Sequence, residues 1–276
     1  MMQEGYFDLS ITELQGLREG TSVKRTSQNS AHGAGDPAIT KMEKDLMRMD
    51  PDDKLIRKVR RIIQSSVVVS FSARSFCRLL MESYPDDCWM MTSQKKNEKG
   101  VAKRKRDWLR DSRLEKQTFI FPIGFTDTRA LRVNAMERKW GIVEFDADEE
   151  QGAMEVLLDR KYQLSLLLDI AEKFPKMPLH LVVDSRRRSY QGWFWVGGVS
   201  QSEYFDLYRY ARRLGCDPHG IRPEMRCRLP GGWNRKVEER NKRQFVVWMS
   251  DEFQKRLEQQ KERLCRIKLK TKQAKS

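Results

Sequence analysis

Three short stretches of this chain set charged and polar side chains at spacings that suit phosphate chemistry. The first is "GIVEFDAD", residues 141–148. An apolar run ends there in Glu144, Asp146 and Asp148, and residues at i and i+2 of a strand share a face. Like charges side by side are costly to bury unless a cation lies between them. Oxygen-only ligands suit Mg2+ or Mn2+, which work with phosphates. The same residues also fit a solvated strand end running into an acidic loop. The second stretch is "LVVDSRRRSYQGWFWVGG", residues 181–198. A plain hairpin turn prefers Gly, Asn or Asp, yet this one holds Arg186, Arg187 and Arg188, then Ser189. Guanidinium groups match phosphate oxygens through paired hydrogen bonds. Gln191 enters the next strand ahead of Trp193 and Trp195. A surface loop with incidental basic residues is the other reading. The third stretch is "MRCRLPGGWNRK", residues 225–236. Arg226 and Arg228 alternate along an extended segment, Pro230-Gly231-Gly232 turns sharply, and Asn234, Arg235 and Lys236 follow. Such groups around a tight turn suit nucleotide or template phosphates; an ordinary turn is the alternative.

The elements that must carry these stretches follow from periodicity. "TFIFPIGF", "KWGIVEFDAD", "LHLVVD", "GWFWVGG" and "RQFVVWM" read as strands. "EQGAMEVLLDRKYQLSLLLDIAEKF" reads as a long helix closed by Pro175. "SQSEYFDLYRYARRLGCDP" opens on Ser200 and Glu203 at capping-box spacing, puts Tyr204, Leu207, Tyr208 and Ala211 on one face, and stops at Gly215. From 141 to 249 the order is therefore β-α-β-β-α-β, the split βαβ, ferredoxin-like arrangement. Upstream, "DDKLIRKVRRIIQ" and "SARSFCRLLMESY", the latter opened by Ser72, predict a helical lobe. Residues 21–40 read as a flexible linker. Ser250 starts a basic helix with nine basic and four acidic residues over 251–276. Residues 95–116 hold ten basic and four acidic residues, and "KKNEKGVAKRKRD" within them predicts an exposed loop. That loop is either a solvated charge run or a phosphate contact. The expected division is a flexible segment 1–40, a helical lobe with its basic loop 41–116, a core 117–249 and a basic helix 250–276.

The chain has 276 residues and a net charge of +15 (54 Lys and Arg against 39 Asp and Glu). With 39% hydrophobic residues it can bury a core, and the excess charge calls for an acidic partner. Nucleic acid is the commonest such partner and an anionic membrane the next. Apolar runs such as "VVVSF" are far short of the ~20 residues a membrane span needs. "MMQEGYFDLS" lacks the basic-then-apolar order of a signal peptide. Five cysteines (77, 88, 216, 227, 265) form no CxxC pair, which fits a reducing cytoplasm. Cys216, His219 and Cys227 are three possible zinc ligands without an obvious fourth.

Taken in order, these stretches resemble the archaeo-eukaryotic primase superfamily, in particular its RepB-like and plasmid or phage primase-polymerase branches. The order is carboxylates, a Ser/Arg turn before an aromatic strand, "RLPGGWNRK", then "QFVVW". The resemblance covers about 118–249. Glu144 and Asp146 match two carboxylates one residue apart after an apolar strand. Ser185, Ser189 and Gln191 match a Ser-containing turn leading to His or Gln. Asp217 and "RLPGGWNRK" match an acidic residue followed by an Arg-Leu-Pro-Gly turn. Glu144 stands where the family more often has Asp, and Asp148 or Glu224 is a further candidate ligand.

The resemblance implies an α+β primase palm, RRM-like, with a helical N-terminal lobe and a basic C-terminal helix. It implies a DNA primase or primase-polymerase, a template-dependent nucleotidyltransferase that makes primers in plasmid or phage replication. Glu144, Asp146 and Asp217 would hold Mg2+ or Mn2+. Arg188, Ser189 and Gln191 would grip the triphosphate of an NTP or dNTP, with Gln191 counted among the catalytic residues. Arg228, Asn234 and Lys236 would hold nucleotide or single-stranded DNA template. No "GxxxxGK[ST]" sequence is present, so an unwinding helicase is expected to be a separate protein. Two alternatives stand beside this: a catalytically degenerate primase fold kept as a replication initiator, and an RRM-like binding module. For the latter, "QGWFWV" offers the aromatics of a base-stacking strand. Phe145, however, lies between Glu144 and Asp146 and so points to the opposite face.

Overall fold

The computed structural model describes residues 71–95, 99–145, 160–185, 189–217, 220, 225–233 and 244–273. The linker, the segment "DDKLIRKVRRIIQ", Asp146, Asp148, Arg188, His219, Glu224, Asn234 and Lys236 lie outside the described residues, as do the other two arginines of the 186–188 turn.

Helix α1 (Ala73–Leu80) begins where Ser72 predicts: its hydroxyl accepts Ser75 N–H. Glu115 accepts the next two free amides, Ala73 N–H at 3.1 Å and Arg74 N–H at 3.2 Å. This carboxylate also complements the positive end of the helix. Strands β1 (Trp89–Ser93) and β2 (Val101–Arg104) then pair antiparallel, and α2 (Lys105–Trp108) follows directly.

The basic run was expected to be an exposed loop, and here the structure differs. Lys105 is buried, and its ammonium donates to the carbonyls of Met81 (3.2 Å) and Tyr84 and pairs with Asp86 at 2.9 Å. Lys103 pairs with Asp111, and Arg104 lies over the Trp89 ring and donates to Asp87 O. Long basic stems can bury their carbons while the charged head finds oxygens. These three charges therefore hold the lobe together.

Strand β3 (Phe119–Ile120) pairs with β1, and β7 (Cys227–Arg228) pairs with β3, so one sheet has the order β2-β1-β3-β7. The second sheet is built from β4 (Trp140–Glu144), β5 (Leu179–Asp184), β6 (Tyr190–Trp195) and β8 (Phe245–Met249), in the order β4-β6-β5-β8. Helix α3 (Arg160–Lys173) joins β4 to β5, and α4 (Gln201–Arg213) follows β6. The capping box at Ser200 and Glu203 is formed, and Gly215 beyond the helix end has φ 91°.

The expected βαββαβ order is thus present, and its first half is a split βαβ, with β6 inserted between the parallel β4 and β5. The second half departs from the RRM-like arrangement. A ferredoxin-like sheet sets its last strand beside the first, whereas β8 pairs with β5 at the opposite edge. Between α4 and β8 the chain first contributes β7 to the other sheet, and it enters the second sheet from that side.

Alternation along the strands sorts the two faces of the second sheet. Val143, Phe145, Val182 and Phe194 pack on α3 and α4, with Leu164, Leu167, Tyr204 and Leu207 among their neighbours. Trp140, Ile142, Leu181, Val183 and Trp193 face the core shared with the first sheet, α1 and α5 (Asp251–Gln273). Helix α5 starts at Ser250, whose hydroxyl accepts Phe253 N–H. It is anchored by the buried Phe253 and Leu257, worth about 1.5–3 kcal/mol each. Among the described residues no helix is long and apolar enough to cross a membrane.

Candidate active site

Glu144 is the last residue of β4 and continues the inward row of Trp140 and Ile142, while the fully buried Phe145 takes the other face, as the strand period requires. Directly across the ladder stands Gln191. Its Nε2 donates to Glu144 Oε2 at 2.6 Å, and Ser189 Oγ donates to Glu144 Oε1 at 2.6 Å. Both distances suit charge-assisted hydrogen bonds to an ionised carboxylate. Ser189 is fixed in turn by Ser185, whose Oγ lies 3.2 Å from both Ser189 Oγ and Ser189 N, while Ser185 N–H donates to Ser189 O. The far end of the Gln191 amide, Oε1, accepts Arg228 N–H at 2.8 Å. One side chain therefore ties the end of β4 to β7 in the other sheet.

Asp217 arrives from the opposite side. Its N–H donates to Glu144 O at 2.8 Å. Further along, a Cβ on Gly220 would lie well inside contact distance of Ile142 O, so glycine alone fits that approach. The carbonyl of Ile142 also accepts the Tyr208 hydroxyl. The free edge of β4 is thereby covered, and Asp217 sits at the strand end beside Glu144.

The "RLPGGW" turn is held just as closely. Gly231 has φ +72°, a left-handed conformation. A Cβ on Gly232 would stand 2.5 Å from Gln117 O. Gln244 locks the turn, with its N–H on Gly232 O, its carbonyl accepting Gly231 N–H, and its Nε2 on Thr118 O at 2.9 Å. Before the turn, the Arg228 guanidinium lies 4.7 Å from the Phe119 ring centroid and that of Arg226 lies 5.4 Å from Phe121.

The structure thus brings together Glu144, Ser185, Ser189, Gln191, Asp217 and Arg228, the last two through their main chains. Asp146, Arg188, Asn234 and Lys236 lie outside the described residues. Sequence reasoning missed Gln244 and also Gln163, whose Oε1 accepts Tyr190 N–H at 2.7 Å at the start of β6. The signal for Gln163 was a lone amide in the apolar "YQLSLLLDI" of α3.

Ligand chemistry at the site is all oxygen. Glu144 accepts one hydrogen bond on each oxygen, from Gln191 and Ser189; a carboxylate has about four acceptor sites in all. Among the described residues no three His, Cys, Asp or Glu side chains group to hold an ion. Of the three possible zinc ligands, Cys216 and Cys227 are buried thiols, and His219 lies outside the described residues. Burial pushes Cys216 up to about 12, and burial together with the charge of Glu144 holds Cys227 well above its ordinary value. Cys227 donates to Ile120 O at 3.3 Å.

The aromatic platform of an RNA-recognition module is not available either. Trp193 is fully buried and Trp195 half-buried, both packed toward the core that α1 and α5 cover. Stacked bases would need that face open.

No protein-family profile matches the chain, and no curated protein matches it. Two solved structures share part of its course. The crystal structure of primase RepB′ is 15% identical, with a TM-score of 0.39 over 73% of this chain and 67% of that chain. The crystal structure of the catalytic domain of primase RepB′ in complex with initiator DNA is 14% identical, with a TM-score of 0.40 over 71% of this chain and 98% of that chain.

Proposed function

We propose that the chain is a template-dependent nucleotidyltransferase, a DNA primase or primase-polymerase that makes primers in plasmid or phage replication. The observation that carries this reading is the Glu144 carboxylate, held at a strand end by Ser189 and Gln191, with the main chain of Asp217 hydrogen-bonded to the Glu144 carbonyl. An acid placed and oriented in this way suits ligation better than a solvated strand end, which needs no restraint.

Glu144 and Asp217, with Asp146, would hold Mg2+ or Mn2+, which when bound offsets triphosphate charge and lowers the pKa of an attacking hydroxyl. Gln191 orients Glu144 and spaces β4 from β7. Ser189, at the base of the arginine turn, fixes the second carboxylate oxygen, while Arg188 supplies charge for the triphosphate. Arg228, with Asn234 and Lys236 beyond the "PGG" turn, holds nucleotide or template.

The test is incubation with single-stranded DNA, labelled NTPs or dNTPs, and Mg2+ or Mn2+, read for short oligonucleotides. The parent is expected to make them. Glu144→Ala is expected to make none while binding DNA as the parent does. A Glu144→Ala protein that extends at the parental rate overturns the assignment. A parent inactive with every metal and template, yet binding DNA, leaves the degenerate initiator as the answer.

A further inference from the structure

The groove between α1 and α5 takes no part in the chemistry above. It encloses about 720 Å³ and is lined by four arginines, Arg78, Arg256, Arg263 and Arg266, against two carboxylates, Glu82 and Glu262. Both carboxylates are already engaged: Glu82 by Arg256, and Glu262 by Arg266 at 3.7 Å. Arg78 and Arg263 are left with no acid among the described residues. Arg74 stands one turn before Arg78, outside the lining; its Nη2 donates to Asp111 O at 3.2 Å, and its Nε is buried without a hydrogen-bond partner. Burial and the neighbouring Arg74 hold the Arg78 guanidinium below its ordinary value. Like charges gathered this way repel until an anion joins them.

The groove also has a direction. Arg256 reaches Glu82, just past the end of α1, while Gln260 Nε2 donates to Ser75 O at 3.3 Å in its first turn. The two helices therefore run antiparallel, and the arginine-bearing half of α5 heads for the start of α1. There the Gly231 turn abuts α1 so closely that a Cβ on Gly231 would stand 3.0 Å from Ala73 N. That is the turn that follows Arg228. The turn thus lies at the start of α1, while the groove's wall on α1 is its last turn, Arg78, Leu79 and Glu82.

We propose that this groove holds the sugar-phosphate backbone of a DNA strand, with Arg78 and Arg263 each on a phosphate. The identity of the anion rests on the reading of the chain as a primase; the charge imbalance does not. An acidic polypeptide would also meet the arginines. The excess of arginine over carboxylate in the lining and the fit of guanidinium to phosphate favour DNA.

The experiment is an anisotropy titration of a short fluorescein-labelled poly-dT strand at NaCl concentrations from about 50 to 200 mM. It compares the parent, Glu144→Ala, the double substitution Arg78→Ala with Arg263→Ala, and the double substitution Arg78→Lys with Arg263→Lys. The alanine pair is expected to bind more weakly and to lower the slope of log K against log salt by about 1.4, at about 0.7 per single-strand contact. The lysine pair keeps the charge and is expected to retain the slope, as is Glu144→Ala. Arg78 is half-buried and Arg263 exposed, so urea unfolding is expected to match the parent and to show that folding is not at issue. A parental slope in the alanine pair overturns the proposal and leaves an acidic polypeptide as the occupant to seek. Reduced slope with a parent that makes no primers keeps the groove and removes the enzyme reading. Primer synthesis with an unchanged slope does the reverse.

Discussion

Gln191→Ala tests how the site is built. The side chain is 3% exposed and both ends of its amide are spent, on Glu144 Oε2 at 2.6 Å and on Arg228 N–H at 2.8 Å. Truncation removes one hydrogen bond to a charged group, worth about 1.5–3 kcal/mol, and one neutral bond, worth about 0.5–1.5 kcal/mol. Water entering the vacated space recovers a part. The expected loss is about 2–4 kcal/mol, read from urea unfolding. At about 2–4 °C per kcal/mol for a domain of this size, Tm falls by roughly 4–16 °C. Glu144 also loses one of two restraints, so kcat for oligonucleotide synthesis is expected to fall more than KM for nucleotide rises. Gln191→Glu sharpens the test. It keeps an acceptor for Arg228 N–H but sets a second carboxylate against Glu144, and like charges there raise the affinity for a proton. A carboxyl whose folded pKa is raised stabilises below its unfolded pKa, near 4.3, and loses that contribution as pH rises. This variant is therefore expected to weaken, relative to the parent, from mildly acid to neutral pH. The reasoning is refuted if Gln191→Ala melts with the parent and changes only KM. The amide would then serve the triphosphate directly, as the resemblance implies.

Gly220→Ala forces a methyl against Ile142 O and is expected to cost about 1–3 kcal/mol in urea unfolding; an unchanged midpoint would mean the segment does not lie on β4. Lys105→Met strips the Met81 and Tyr84 carbonyls of their donor and is expected to cost about 1–3 kcal/mol. Arg106→Ala, on an exposed flank, is expected to stay within about 0.5 kcal/mol, and the opposite ranking would turn the basic run outward. His180 lies 2.8 Å from Ser250 Oγ at the start of α5, and burial holds its imidazole below its usual value, with Glu252 opposing and Arg256 reinforcing. Its neutral form stabilises the fold above about pH 6.5, and that contribution is lost as pH falls. His180→Asn is expected to flatten the acid limb of stability against pH, and an unaltered limb would assign that limb to other groups.

Sequence alone placed the elements whose signals are local. Ser72 and the Ser200–Glu203 box mark helix starts because a cap needs only its own next turn. The opposition of Glu144 and Phe145 follows from a period of two. The apolar runs after Lys139 and around Trp193 likewise read as two strands, one ending in Glu144 and the other entered at Gln191. The pairing of those two residues was decided by the tertiary structure, because a ladder register depends on residues 47 apart in sequence. So was the position of β8, since adding a strand at either edge buries the same alternating face and "RQFVVWM" reads alike for both. Lys105 shows the limit most plainly. A charge run signals solvent because an isolated ammonium is costly to bury. The carbonyls of Met81 and Tyr84 that remove this cost lie 24 and 21 residues away. Only folding brings them within reach, and so only the tertiary structure separates a buried strut from a surface charge.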